Sequence, residues 1–175
     1  MRPNCDTFFM NIAKEVATRG TCARRQVGVV LVDDHNFILS TGYNGPASGW
    51  PHCRDNPKFE CPGAHAPSGT NLDGCLANHS EVSAMLRCTD TSKIRTVYTT
   101  TSPCITCVKM LLCTSALRIV FAELYPHAES EEQWTRHHLQ EHDRAGTLVR
   151  SWFRTWEQIQ SDGKVKVLGS SEWRK

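Results

Sequence analysis

The residues best suited to chemistry are His79 and Glu81, two apart in "CLANHSEVSAM" (residues 75–85), and Cys104 and Cys107, three apart in "TSPCITC" (residues 101–107). Taken alone, each stretch has a structural reading. Asn78 reads as a helix N-cap and Glu81, three residues on, as its partner in a capping box. One Cys-x-x-Cys could be a redox pair, half a zinc site or coincidence. Ser102 reads as a cap and Pro103 as the first helical residue, so both thiols fall in a first turn and on one face. A helix N-terminus lowers thiol pKa and favours the thiolates that a metal needs. Together, His79 and the two thiolates supply three ligands and leave the fourth tetrahedral position to water, as in catalytic zinc sites. Zinc lowers the pKa of that water, and Glu81 is placed to move the proton. In mid-helix, residues two apart diverge by about 200°. His79 and Glu81 can therefore share a pocket only where the helix begins.

The elements that must position these groups follow from periodicity. Phe8, Phe9, Ile12, Ala13 and Val16 recur at helical spacing, which predicts an amphipathic helix over 5–19. "QVGVVLVDD" and "FILSTGY" read as strands joined by the turn "DDHN". From Tyr43 to about Leu76 the chain is rich in Gly, Pro, Asn and Ser and lacks periodicity, an unusual length of loop for a compact domain. "EVSAMLRC" then reads as helix, "IRTVYTTT" as strand, "CITCVKMLLCTSA" as helix and "LRIVFAEL" as strand, an alternation that predicts helices on a partly parallel sheet. Residues 128–144 read as a polar helix, "GTLVR" as a final strand, and "SWFRTWEQIQ" as a packing or subunit-contact segment. The expectation is one domain over 1–175, with a core of about 5–150 and a C-terminal extension over 151–175.

Bulk properties exclude some function classes. Hydrophobic residues make up 39% and charged residues 22%, ordinary for a globular protein. A formal charge of +2, with eight His uncounted, argues for neither a nucleic-acid nor a membrane partner. No uninterrupted apolar stretch approaches the length of a membrane span, and "MRPNCDTFFMNIAKEVATRG" lacks the apolar region of a signal peptide, so a cytoplasmic protein is expected. Nine Cys, an odd number without a secretory signal, point to metal or reactive thiols rather than a disulfide framework. Cys5, Cys88 and Cys113 sit among helix formers and are expected in the core.

His-x-Glu followed by Pro-Cys-x-x-Cys, its Pro 24 residues after His79, is the signature of zinc-dependent nucleobase deaminases. With "TCARRQVGVVLV" and "TGYNGPASGWPHC" added, the chain from about Ala13 to Tyr125 closely resembles the deoxycytidylate (dCMP) deaminases. Ser80 is a departure, standing where that family usually has Ala. The resemblance implies an α/β/α cytidine-deaminase-like sandwich with a mixed, about five-stranded sheet, and zinc-dependent conversion of dCMP to dUMP and ammonia. It implies catalysis by Glu81 at a zinc held by His79, Cys104 and Cys107. Asn44, Ser102 and Tyr125 become candidates to contact the substrate, although Asn44 could simply favour a turn and Tyr125 could be packing.

Two further sites are implied by the same family. Many members are hexamers activated by dCTP and inhibited by dTTP, with Mg accompanying the triphosphate. Arg24, Arg25, Gly42, Asn44 and Gly45 are the candidates for such a site. Some members also carry a structural zinc, and Cys22 and Cys53 match two of its ligand positions. His65 and Cys75 are favoured for the others, with Cys61 and His52 as rivals; such a zinc would brace the long loop. The competing functions are a deaminase acting on a base within tRNA or single-stranded DNA, and an inactive zinc-stabilised interaction module. Ammonia release from free dCMP but not from oligonucleotide separates the first from the main reading.

Overall fold

A computed structural model describes residues 2–168, apart from 57–60, 68–69, 71–73, 126–127, 138 and 143. Helix α1 (Cys5–Ala17) starts at Asn4, whose side chain accepts a 2.8 Å hydrogen bond from the Thr7 N–H. Strands β1 (Gly28–Val32) and β2 (Ile38–Tyr43) form the expected hairpin. Asp33 Oδ1 organises its turn by accepting from the His35 and Phe37 N–H groups. Helix α2 (Ser80–Arg87), strand β3 (Thr96–Thr101), helix α3 (Ile105–Leu112) and strand β4 (Arg118–Glu123) follow in the predicted alternation.

Beyond β4 the prediction departs from the fold. The polar helix α4 spans Ala128–Arg136 and gives way to a separate two-stranded hairpin, β5 (Leu139–His142) with β6 (Leu148–Trp152). Cross-strand pairing after residue 138 outweighs helical propensity there, and "GTLVR" is not the last strand. Strands β7 (Thr155–Ile159) and β8 (Val165–Leu168) complete the main sheet, whose order is β2-β1-β3-β4-β7-β8. The sheet thus has six strands, and it continues past the expected core boundary near residue 150. Trp156 on β7 is 1% exposed against Phe121, which makes it a core anchor.

The layers follow from alternation along β1, all five of whose residues are buried. Val30 and Val32 face α1, joining Phe9, Met10, Ala13, Tyr98 and Val120. Val29 and Leu31 face the opposite way, into a core with Ala84 of α2, Val108 and Leu111 of α3, and Trp134 of α4. Helices on both faces make an α/β/α sandwich. The β1–β3 pair is antiparallel, whereas β3–β4 and β4–β7 are parallel. In such sheets sites form where parallel strands end and helices begin, which here are the ends of β3 and β4. A second anchor ties α1 to the sheet: Arg118 bridges Glu157 at 2.6 Å and Asp6 at 3.3 Å, and Asp6 also accepts from the Tyr98 hydroxyl.

Of the three thiols expected in the core, Cys5 and Cys113 are outside it, and Cys88 packs against its edge. They sit at helix ends, as the first residue of α1 and the C-caps of α2 and α3, where Cys5 and Cys113 are exposed and Cys88 is half-buried. Among the described residues no helix is long and apolar enough to cross a membrane.

Candidate metal centre and its cleft

Two helix starts meet at the carboxyl end of β3. His79 is the N-cap of α2 and Cys104 the N-cap of α3; both have extended backbones, and neither side chain makes a capping bond. The imidazole and the thiol are thereby released from capping and turn toward one another. His79 Nδ1 lies 3.3 Å from Cys104 Sγ and 3.4 Å from Cys107 Sγ. The expected caps are displaced by one or two residues. Asn78 forms a β-bridge with Gly45, exchanging N–H···O bonds of 3.2 and 2.8 Å that fasten the returning loop to the end of β2. Ser102 does not cap α3; its Oγ accepts a 2.7 Å hydrogen bond from the Tyr125 N–H.

These distances fit zinc. Tetrahedral ligands at ordinary Zn–N and Zn–S lengths stand about 3.6 Å apart. Among the described residues, His79, Cys104 and Cys107 are the one group of three such ligands with all donor atoms within 4.8 Å of one another. Without metal the thiols share protons unequally: the hydrogen bond from Cys107 pulls the Cys104 thiol far down, and the same bond and burial push Cys107 up. A metal must displace the remaining proton.

Glu81, 4% exposed, is the buried carboxylate beside this centre. Burial raises its pKa, opposed first by the nearby His79. Ser80, on the first turn of α2, donates a 3.1 Å hydrogen bond to Glu81 Oε2. One cleft is lined by His79, Glu81, Cys104, Asn44, Arg24, Arg25, Ser102 and Tyr125, so most of the predicted site residues do converge.

Gly42 and Gly45 do not line this cleft. Gly42 is sealed under α2, where a Cβ would collide with the backbone of Ser80 and Ala84; it is not open to a nucleotide. Gly45 is buried in the bridge to Asn78. The Asn44 amide is engaged on both sides, accepting from the Val27 N–H at 2.8 Å and donating to the Arg25 carbonyl at 2.7 Å. Arg24 and Arg25 line the cleft that holds Glu81 rather than a separate pocket with Gly42. Glu123, which the sequence reading did not single out, reaches Arg25 at 4.0 Å. It gets there because β3 and β4 are in parallel register with Thr101 opposite Glu123, a pairing no local motif announces.

The second group of thiols also comes together: Cys53 and Cys75 each feel the charge of Cys61 and of Cys22. Burial, together with the Cys61 thiol, pushes Cys53 up to about 11. Cys22 and Cys61 are buried, whereas His65 is exposed and His52 pairs with Asp55 at 3.5 Å.

The sequence model of the cytidine and deoxycytidylate deaminase zinc-binding region matches residues 3–123. The chain is 34% identical over 124 residues to the deoxycytidylate deaminase of Mycobacterium phage D29, a match covering 69% of this chain and 95% of that one. It is 32% identical over 127 residues to the deoxycytidylate deaminase of Saccharomyces cerevisiae, covering 71% of this chain and 39% of that protein, so it spans about two fifths of that relative's length. The crystal structure of the dCMP deaminase from cyanophage S-TIM5, in complex with dCMP and dUMP, shares the fold with a TM-score of 0.56 at 22% identity, covering 75% of this chain and 90% of that one.

Proposed function

The chain belongs to the cytidine and deoxycytidylate deaminase family, and from that premise we propose that it hydrolyses dCMP to dUMP and ammonia. The observation that carries the proposal is the convergence of His79, Cys104 and Cys107 at zinc-ligand distances beside a buried carboxylate, Glu81. Support for dCMP over other amidines comes from the relatives, which are named deoxycytidylate deaminases.

His79, Cys104 and Cys107 would hold the zinc, which when bound would lower the pKa of the attacking water. Glu81 takes a proton from the attacking water and delivers it to N3 of the pyrimidine. Glu81 then takes the remaining proton from the new C4 hydroxyl and gives it to the amine, so that the C4–N bond breaks, the C4 carbonyl forms and ammonia leaves neutral. Its burial suits it to both roles, because a carboxyl with a raised pKa gives up a proton as well as it takes one. Tyr125 and Ser102 are proposed to contact the nucleotide, with Ser102 fixing the Tyr125 backbone. The committed amide of Asn44 shapes this wall by holding Arg25 and Val27.

The family resemblance extends the proposal to activation by dCTP with Mg, inhibition by dTTP and assembly as a hexamer. It also extends to a structural zinc on the Cys22, Cys53 and Cys75 thiols, with Cys61 better placed than His65 as fourth ligand. The test is ammonia release by zinc-loaded protein from dCMP, CMP, deoxycytidine and cytosine-containing oligonucleotide. Glu81→Gln should keep zinc and lose turnover by about 10³-fold. Zinc-loaded wild-type protein inert toward dCMP would sink the reading.

A further inference from the structure

Helix α3 brings Cys104, its N-cap, and Cys107, in its first turn, to the metal centre. Its far end is held by a residue from beyond the matched family region, which stops at residue 123. The last four carbonyls of a helix find no partner within it. In α3 the Cys113 and Thr114 N–H groups donate to Met110 and Leu111, and the Cys113 thiol donates to Lys109. The Leu112 carbonyl is left to Arg154, whose Nη2 donates to it at 3.5 Å. The same guanidinium donates to the carbonyls of Ala116 at 3.0 Å, His137 at 3.2 Å and Thr114 at 3.4 Å.

Arg154 is 6% exposed, and each of these acceptors is a carbonyl rather than a carboxylate. A buried cation without a counter-ion is costly, and an apolar residue of its size often serves stability as well. Here the negative end of the α3 dipole offsets the charge, as does the Trp134 ring, 5.1 Å from the guanidinium. The clamp is itself fixed. Trp134 Nε1 donates to the Thr155 carbonyl at 3.0 Å, and the Thr155 N–H donates to Leu117 at 2.8 Å where β7 enters the sheet. No Gly or Pro interrupts Ile105–Leu112, so the two ends of α3 tilt as one body. Eight residues make a helix about 12 Å long, in which a tilt of about 5° at one end shifts the other by about 1 Å.

We propose that Arg154 is a positioning residue for the metal centre: by capping the C-terminal end of α3 it sets where Cys104 and Cys107 stand relative to His79 and Glu81. The proposal rests on reading that centre as the zinc site of a deaminase. His79 and Glu81 belong to the start of α2, so the ligand set is complete only while two separate helices keep their relative pose. Arg154 supplies the anchor for one of them from the segment that leads into β7.

The experiment compares wild type, Arg154→Gln and Arg154→Lys with Val30→Ala, which opens a cavity in the core on the α1 side of the sheet and controls for lost stability. One readout is the free zinc that half-protects Cys104 and Cys107 from alkylation, followed by mass spectrometry of their peptide, which keeps them apart from the loop thiols. The other is kcat and KM for dCMP at saturating zinc. Arg154→Gln should raise the half-protecting zinc by about 10-fold. It should lower kcat by about 100-fold and leave KM within about threefold, because Asn44, Arg24 and Tyr125 of the cleft are not carried by α3. Arg154→Lys should fall between, since it keeps the charge at the helix end and loses the fork. Val30→Ala should melt lower and change neither readout. If Arg154→Gln does not fold, Arg154→Lys against Val30→Ala decides by the same measurements. Zinc protection and kcat that fall alike in the Arg154 variants and in Val30→Ala would make Arg154 a stability residue and overturn the proposal. So would wild-type thiols that zinc never protects, because no centre is then positioned. Protection that depends on Arg154 in a protein inert toward dCMP would uphold the positioning role and sink the deaminase reading.

Discussion

The Ser80 hydroxyl donates a 3.1 Å hydrogen bond to Glu81 Oε2, and both residues are buried. An Ala at position 80, as the family usually has, could not make this bond. A hydrogen bond to a charged group contributes about 1.5–3 kcal/mol. Here it favours the ionised carboxylate and works against burial, which raises the Glu81 pKa. Ser80→Ala should therefore raise that pKa further and move the acid limb of the kcat/KM profile for ammonia release to higher pH. Zinc content should not change. An unshifted acid limb would mean that the bond does not act on the reacting carboxylate.

Zinc affinity should rise with pH. Cys107 is pushed up by its bond to Cys104 and by burial, so it keeps its proton in the metal-free site, and that proton must leave before the sulfur ligates. Competition with a chelator should show tighter binding at pH 8 than at pH 6, with protons released to buffer. Cys107→Ser should weaken zinc more than about 100-fold and abolish ammonia release, while the core under α3 keeps its packing. Affinity independent of pH would argue against thiolate ligation.

Gly42 sits where β2 and α2 touch backbone to backbone, and a Cβ there would collide with Ser80 and Ala84. Overpacking of this kind costs about 1–3 kcal/mol. The displaced element would be the first turn of α2, which carries His79, Ser80 and Glu81. Gly42→Ala should lower the melting temperature and weaken zinc together. A variant that melts lower but keeps full zinc affinity would show that α2 absorbs the strain without moving His79.

Where burial and period agree, the sequence was sufficient. "GVVLV" is hydrophobic at every position because β1 is covered on both faces, and Phe9 and Ala13 are one helical turn apart because α1 packs there. The metal ligands were legible for another reason: His-x-Glu and Cys-x-x-Cys are local patterns, and each falls at a helix start. The caps were not legible, since Asn78 and Ser102 are good N-cap residues by type. Tertiary demands drew them elsewhere, Asn78 into the bridge with Gly45 and Ser102 to the Tyr125 N–H. The segment that holds Trp156 does not announce itself as a strand, because the identity of β7 depends on its long-range pairing with β4. The position of Arg25 over Tyr125 is not legible either, because it brings together two segments about a hundred residues apart.

The thiol cluster offers a choice between ligands that zinc counting can decide. Cys22, Cys53 and Cys75 stand together in the fold, and the fourth position lies between Cys61 and His65. Cys61 is 4% exposed and close enough to Cys53 and Cys75 to shift both thiols, whereas His65 lies exposed on the loop surface. The sulfurs are less tightly drawn together than the donors at His79, so zinc would have to pull them inward. That movement would cross-link the long loop to Cys22, just ahead of β1, and Arg24 would be braced from both sides. Cys61→Ser should therefore lose one zinc per chain by elemental analysis, lower the melting temperature, and leave the zinc at His79 in place. His65→Ala should keep the zinc content of wild type. Zinc loss in His65→Ala, with Cys61→Ser unchanged, would reverse the assignment.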